Sequence, residues 1–134
     1  MLEGIAGIYV ELGQPQKALP YEQRALELRE KVLGPNTGDV ADSLTTLAQI
    51  WGEIGDCKQA TAAAKRSIEV LHGLPGGDEN AGLPTLIVAM CTDDVEKARP
   101  LYIKTGELLA KVPGADHELT IVHTWLAKHP QGGK

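Results

Sequence analysis

One spacing recurs along this sequence and constrains its fold more than any other feature. Ala6, Tyr9, Gly13 and Ala18 recur 42 positions later as Ala48, Trp51, Gly55 and Ala60. A weaker third copy is centred on Ala98. A fixed period of this length is typical of repeat proteins, in which each unit buries its apolar face only against its neighbours. We therefore expect a stack of similar units rather than one closed core.

The apolar residues within each unit predict a pair of helices. From Leu2 to Leu12 they recur at helical spacing, and Gly13 is a residue on which helices commonly end. Pro15 suits the first turn of the next helix, because its missing N–H would have no partner there. We expect a single array over residues 1–129, with repeats at 2–35, 37–73 and 83–112, a capping helix at 116–129 and a flexible tail at 130–134.

Polar residues and glycines predict where the later helices begin and end. Asp56 with Gln59, and Asp93 with Glu96, have the spacing of capping boxes. Residues 73–82 are rich in glycine and predict a loop, which is either a degenerate connection or a functional insertion. Gly106 lies inside a predicted helix and should cost about 1 kcal/mol relative to alanine.

Composition excludes several function classes. The net charge of −5 and the pI of about 5.3 argue against binding nucleic acid or an anionic membrane, since both need a basic face. No apolar run approaches the roughly 20 residues that cross a bilayer, and the N-terminus lacks the pattern of a signal peptide. Cys57 and Cys91 are the only cysteines. We therefore expect them to be free thiols in a cytoplasmic protein.

Candidate chemical sites are weak. His117, His123 and His129 are spaced by six residues, which rotates each about 240 degrees around a helix from the last, so they do not share a face. Asp93 and Asp94 are adjacent carboxylates, but a helix cap accounts for them. The glycine-rich stretch lacks the Gly-Lys-Ser/Thr ending of a phosphate loop. We expect no catalytic residue, no cofactor and no metal.

Three runs carry a family resemblance. Residues 5–13 (IAGIYVELG), 17–35 (KALPYEQRALELREKVLGP) and 39–44 (DVADSL) resemble tetratricopeptide repeats, in the long-repeat variety found in kinesin light chains. The resemblance implies an all-α, right-handed α-solenoid of about three helix pairs plus a capping helix. Within that cap, we expect Trp125 to pack back on the preceding helix, or else to be an exposed contact.

The resemblance implies a non-catalytic protein–protein interaction module, an adaptor or scaffold whose first helices line a concave groove. The family often has two asparagines in that groove where this chain has Thr45 and Thr46, and the basic clamp of chaperone-binding members is missing. The expected contacts with a protein or peptide partner are Asp42, Thr45, Gln49 and Glu53, with Gly7 and Gly52 keeping the groove floor low. An acidic groove favours a basic or neutral peptide.

A second hypothesis belongs to another class. The sequence begins within the family's first helix and ends one helix into a fourth unit, which fits a fragment of a larger signalling protein. The array would then be a structural or sensor arm beside an NTPase or other effector domain. The sequence indicates no oligomeric state.

Overall fold

Seven α-helices form the part of the protein that the structure describes. This computed structural model describes residues 2–130, with side chains from Ile5 onward, and no strand occurs in that range. The helices are α1 (Leu2–Glu11), α2 (Pro15–Leu33), α3 (Gly38–Ile54), α4 (Cys57–His72), α5 (Gly82–Met90), α6 (Val95–Leu109) and α7 (Asp116–Lys128). A short 3₁₀ helix, Gly77–Asn80, precedes α5. The predicted all-α class is confirmed.

The helices pack in pairs, and each pair packs on the next. α1 lies against α2, α3 against α4, and α5 against α6, while α2, α4 and α6 also contact the helix that follows them. This stepwise packing, in which most contacts are between neighbours, is that of an α-solenoid of helix pairs.

Small residues lie where the paired helices approach one another. Ala6 and Ala18 are fully buried in the first unit, and Ala48 and Ala60 are fully buried in the second. Ala98 takes the same place in the third unit, 38 residues after Ala60 rather than 42. The third unit therefore follows a shorter period, and this changes which residues of α5 face their neighbours.

Side-chain caps fix the starts of the later helices. Asp56 accepts a hydrogen bond from the Gln59 backbone N–H at 3.0 Å, as its spacing predicted. The prediction for Asp93 is wrong, because α6 begins one residue later than expected. Asp94 is the cap, and it accepts from the backbone N–H groups of Glu96 at 2.9 Å and Lys97 at 3.3 Å.

The predicted loop at residues 73–82 contains the 3₁₀ turn and is held close to the helices. Gly77 is buried, and a Cβ built on it would overlap the backbone carbonyl of Leu71. A Cβ on Gly82 would lie 2.7 Å from Leu109 Cδ2. Glycine is therefore required at Gly77, because backbone lies in the way of a side chain, whereas a side chain at Gly82 would have to displace the Leu109 side chain.

The last helix covers the end of the third pair. Trp125 stacks on Tyr102 with ring centroids 4.2 Å apart, so the prediction that it packs back on the preceding helix is confirmed. Arg99 donates hydrogen bonds to the backbone carbonyls of His129 and Pro130 at 3.3 Å. Apart from Pro130, the predicted tail at 130–134 lies outside the described residues.

The two cysteines are bonded to one another. Cys57 and Cys91 form a disulfide with their Cα atoms 5.5 Å apart, so the prediction of two free thiols is wrong. The physical reason is the packing of α5 against α4, which brings the residue after α5 beside the first residue of α4. Within residues 2–130, none of the helices combines the length and apolar character needed to cross a membrane.

Candidate functional site

The first helices of the successive units line one face of the array, and α3 lies between two depressions on it. The depression between α1 and α3 has a volume of about 340 Å³, and the one between α3, α5 and α7 has a volume of about 600 Å³. We refer to the two depressions together as the groove. Its lining comes from α1, α3, α5 and α7, from Cys57 at the start of α4 and from Cys91, which directly follows α5.

Two of the four predicted contact residues lie at the centre of the groove. Gln49 and Glu53 are exposed and line both depressions. They are four residues apart on α3, so they point from the same side of that helix, one turn apart. Gly7 lines the smaller depression and Gly52 the larger one. Because glycine has no side chain, backbone is accessible at both places.

Thr45 is placed differently from its predicted role as a groove contact. It is half-buried, and its hydroxyl lies 2.8 Å from the Ser67 hydroxyl on α4. Ser67 donates its own proton to the Ala41 carbonyl at 2.9 Å, so Thr45 is the donor in the bond between the two hydroxyls. The Thr45 hydroxyl therefore donates a hydrogen bond that links α3 to α4. Its contact with a partner stays a prediction.

Asp42 lies in a separate depression of about 400 Å³, whose lining includes Gly77 and Glu79 of the 73–82 connection. Burial raises the pKa of the Asp42 carboxyl above its ordinary value of 3.8, the nearby Arg29 guanidinium lowers it, and Asp39 raises it again. The net direction is upward because burial is the largest of these effects. The four predicted residues are thus not one cluster, since only Gln49 and Glu53 share the groove.

Several groove residues were missed at the level of sequence. Ile87 and Met90 of α5 and Glu118 of α7 line the larger depression, and the Met90 side chain is 56% exposed. The run 86–90 has an apolar pattern that is typical of core. For Ile87 and Met90 the signal is the 38-residue period, which places them at the positions of Gln49 and Gly52 in the preceding unit.

The groove is acidic at its rim and apolar at its floor. Glu11, Glu53 and Glu118 are among its lining residues, and none of the described residues that line it is a lysine or an arginine. His117, which is exposed, also lines the larger depression. Clefts lined by one sign of charge concentrate ligands of the opposite sign. The described residues contain no group of three side chains placed to hold a metal ion.

Comparison with known proteins agrees with this architecture. The model of the tetratricopeptide repeat family matches residues 1–71, which is more than half of the chain. The chain belongs to the tetratricopeptide repeat family. Tetratricopeptide repeats generally mediate protein–protein interaction. The matched segment contains α1 to α3 and α4 as far as Leu71, so it includes the helix that carries Gln49 and Glu53. No curated protein matches the chain significantly.

Proposed function

We propose that this protein is a non-catalytic interaction module of the long-repeat type, and that its groove binds a peptide segment of a partner protein. The observation that carries the proposal is the position of Gln49 and Glu53. Both are exposed, both line the two depressions, and both share the larger depression with an exposed apolar side chain, Met90. An amide there can bond to a peptide backbone, while the apolar floor takes a side chain.

The partner segment that fits has apolar residues flanked by lysine or arginine. The described lining residues include glutamates but no lysine or arginine, which favours positive charge in the peptide. Ile87 and Met90 favour an aliphatic anchor. A protein or peptide partner is proposed rather than an anionic membrane surface or a nucleic acid, because the net charge of −5 disfavours binding to either of those.

The test uses a fluorescein-labelled peptide of leucine, glycine and lysine, with a matched peptide in which glutamate replaces lysine. Fluorescence anisotropy should show binding of the lysine peptide, weakened by added salt, and much weaker binding of the glutamate peptide. Glu53→Lys should raise Kd by roughly fivefold, which is about 1 kcal/mol for the loss of one exposed charge pair. Gln49→Ala should weaken binding by a similar amount.

The control variant is Glu69→Lys, which makes the same change of charge at an exposed position of α4 that lines neither depression. It should leave the lysine peptide's Kd within twofold of the wild-type value. Equal weakening by Glu53→Lys and Glu69→Lys would mean that only net charge attracts the peptide. Binding of neither peptide would contradict the groove proposal.

One observation favours the second candidate function, an arm within a larger protein. Ile8 and Leu12 on α1 are 57% and 63% exposed, whereas Ile50, 42 residues after Ile8, is 1% exposed and packs against Ala6 and Ala18 of the first unit. The exposed face of α1, which carries Ile8 and Leu12, therefore corresponds to the face of α3 that the preceding helix pair covers. A larger protein would cover it with another helical element.

This candidate is tested by building the missing neighbour. A copy of residues 2–43 placed ahead of Leu2 keeps the 42-residue period and should raise the unfolding temperature by several degrees, since each 1 kcal/mol gained shifts Tm by about 2–8 °C in domains of this size range. Ile8→Lys in the inner copy should cancel the gain. No gain in the tandem protein would count against an arm that continues through this face.

A further inference from the structure

The Cys57–Cys91 disulfide is part of the groove wall. Both cysteines line the larger depression, Cys57 as the first residue of α4 and Cys91 as the residue directly after α5. By the 38- and 42-residue periods, Cys91 occupies the position of Glu53 in the second unit and Glu11 in the first. A groove position that carries a carboxylate in two units thus carries a covalent crosslink in the third.

The helix that supplies the groove floor depends on this crosslink for one of its ends. α5 has only nine residues, and no side chain caps its N-terminus. Its C-terminal cap residue is Cys91 itself. Residues 84–89 of α5 are buried against neighbouring helices, whereas its C-terminal residue, Met90, is exposed and lies next to the disulfide. The disulfide fixes the C-terminal end of α5 to the start of α4, and with it the positions of Ile87 and Met90.

The disulfide is accessible to reagents from solution. Cys57 is exposed and Cys91 is half-exposed, and both border an open depression rather than a sealed core. Thiol–disulfide exchange requires that a thiolate reach a sulfur atom along a free path, so this exposure allows the exchange in the folded protein.

We propose that the Cys57–Cys91 disulfide is a redox switch that holds the groove in its binding form; the inference rests on the proposed function of that groove. One thiolate of a dithiol reductant attacks one sulfur of the disulfide, which releases the other cysteine and forms a mixed disulfide. The reductant's second thiol then attacks the reductant's own sulfur in that mixed disulfide and releases the remaining cysteine. Two electrons and two protons pass to Cys57 and Cys91, which become thiols, and the reductant leaves as a disulfide. A disulfide oxidant reverses the exchange.

Reduction weakens binding because the floor of the groove loses its fixed geometry. A partner that anchors on Ile87 and Met90 must then order α5 as it binds. Ordering a side chain at an interface costs about 0.5–1.5 kcal/mol, so two such side chains correspond to a Kd raised by roughly five- to 150-fold, with about thirtyfold as the central expectation.

The experiment measures the lysine peptide's Kd for the oxidised protein and for the same protein held in dithiothreitol, with thiol alkylation and intact mass to verify each redox state. Hydrogen exchange is followed over residues 83–90 of α5, with residues 44–54 of α3 as the internal reference. The double variant Cys57→Ser, Cys91→Ser is the control, because dithiothreitol has no disulfide to reduce in it. Its circular dichroism verifies its helix content.

The expected result is about thirtyfold weaker binding to the reduced protein, faster exchange at the C-terminal end of α5 and unchanged exchange in α3. The serine variant should bind as the reduced protein does, with or without reductant. If that variant fails to fold, the reductant titration of the wild-type protein decides alone. Equal Kd values for the two redox states would overturn the switch and leave the groove proposal standing. Absence of peptide binding in both states would overturn the groove proposal, and the switch with it.

Discussion

The repeat supplies its own control for a stability prediction, because Ile8 and Ile50 occupy the same position in successive units. Ile50 is 1% exposed and packs against Ala6 and Ala18, whereas Ile8 is 57% exposed. We predict that Ile50→Ala strongly destabilises the fold and that Ile8→Ala barely does. The residue removed and the type of helix are the same in both variants, so only burial differs.

The magnitude follows from the atoms removed. Isoleucine to alanine deletes three carbons, and each buried carbon is worth about 0.8 kcal/mol, which gives about 2.4 kcal/mol at Ile50 before any cavity forms. A residual cavity adds to this, so the expected loss is about 2.5–4 kcal/mol. At Ile8 less than half of the side chain is buried, so the loss is about 1 kcal/mol. Alanine returns a few tenths of that through its higher helix propensity.

Urea unfolding measures both variants, followed by circular dichroism and by tryptophan fluorescence. Trp51 lies in the second unit and Trp125 in the last helix, so the two signals together show whether unfolding is a single transition. The m-values should match wild type and only the midpoints should move. Equal destabilisation by the two substitutions would refute the assignment of the α1 face as uncovered and of the α3 face as covered.

Three further substitutions test other contacts. Ala60→Leu should destabilise by about 1–3 kcal/mol in the same urea assay, because it overfills a fully buried helix crossing; a wild-type midpoint would mean that the crossing is misplaced. Gly77→Ala should cost a similar amount by forcing the connection away from the end of α4, while Gly73→Ala, where a Cβ has ordinary contacts, should cost less than half as much. Asp42→Asn should remove a pH dependence of the free energy of unfolding. Because the pKa of Asp42 is raised in the fold, ionised Asp42 is disfavoured there as the pH rises above 3.8, and the wild-type protein should lose stability relative to the variant. Parallel pH profiles of the two unfolding free energies would contradict this.

The helix pairs could be predicted from sequence because their signals are local. The turn glycines and the helical spacing of apolar residues each involve only a few neighbouring positions. Because Ala18 recurs as Ala60, the first two units give the same helix positions independently. The small residues at the helix crossings could be predicted for the same reason, because they recur at the same spacing from the turn glycines. In the third unit the period is shorter, and there the local signals lead to Asp93 instead of Asp94 as the helix cap.

The disulfide and half of the groove could not be predicted in this way, because they depend on packing between units. Cys57 and Cys91 are 34 positions apart in sequence, and only the packing of α5, in the third unit, against α4 makes them neighbours. Thr45 shows the converse limit. Its position on α3 suits a groove contact, but its hydroxyl is hydrogen-bonded to the Ser67 hydroxyl on α4.

The crosslink also changes what a break in the chain would do. Residues 57–91 form a covalently closed ring, and the connection at 73–82 lies inside it. A single proteolytic cut in that connection would leave one molecule with two new ends, which would migrate as a single species on a non-reducing gel. The two pieces would stay tethered at a high effective concentration and could reassemble without diffusing apart. The connection is therefore a place where new termini can be introduced without losing the third unit.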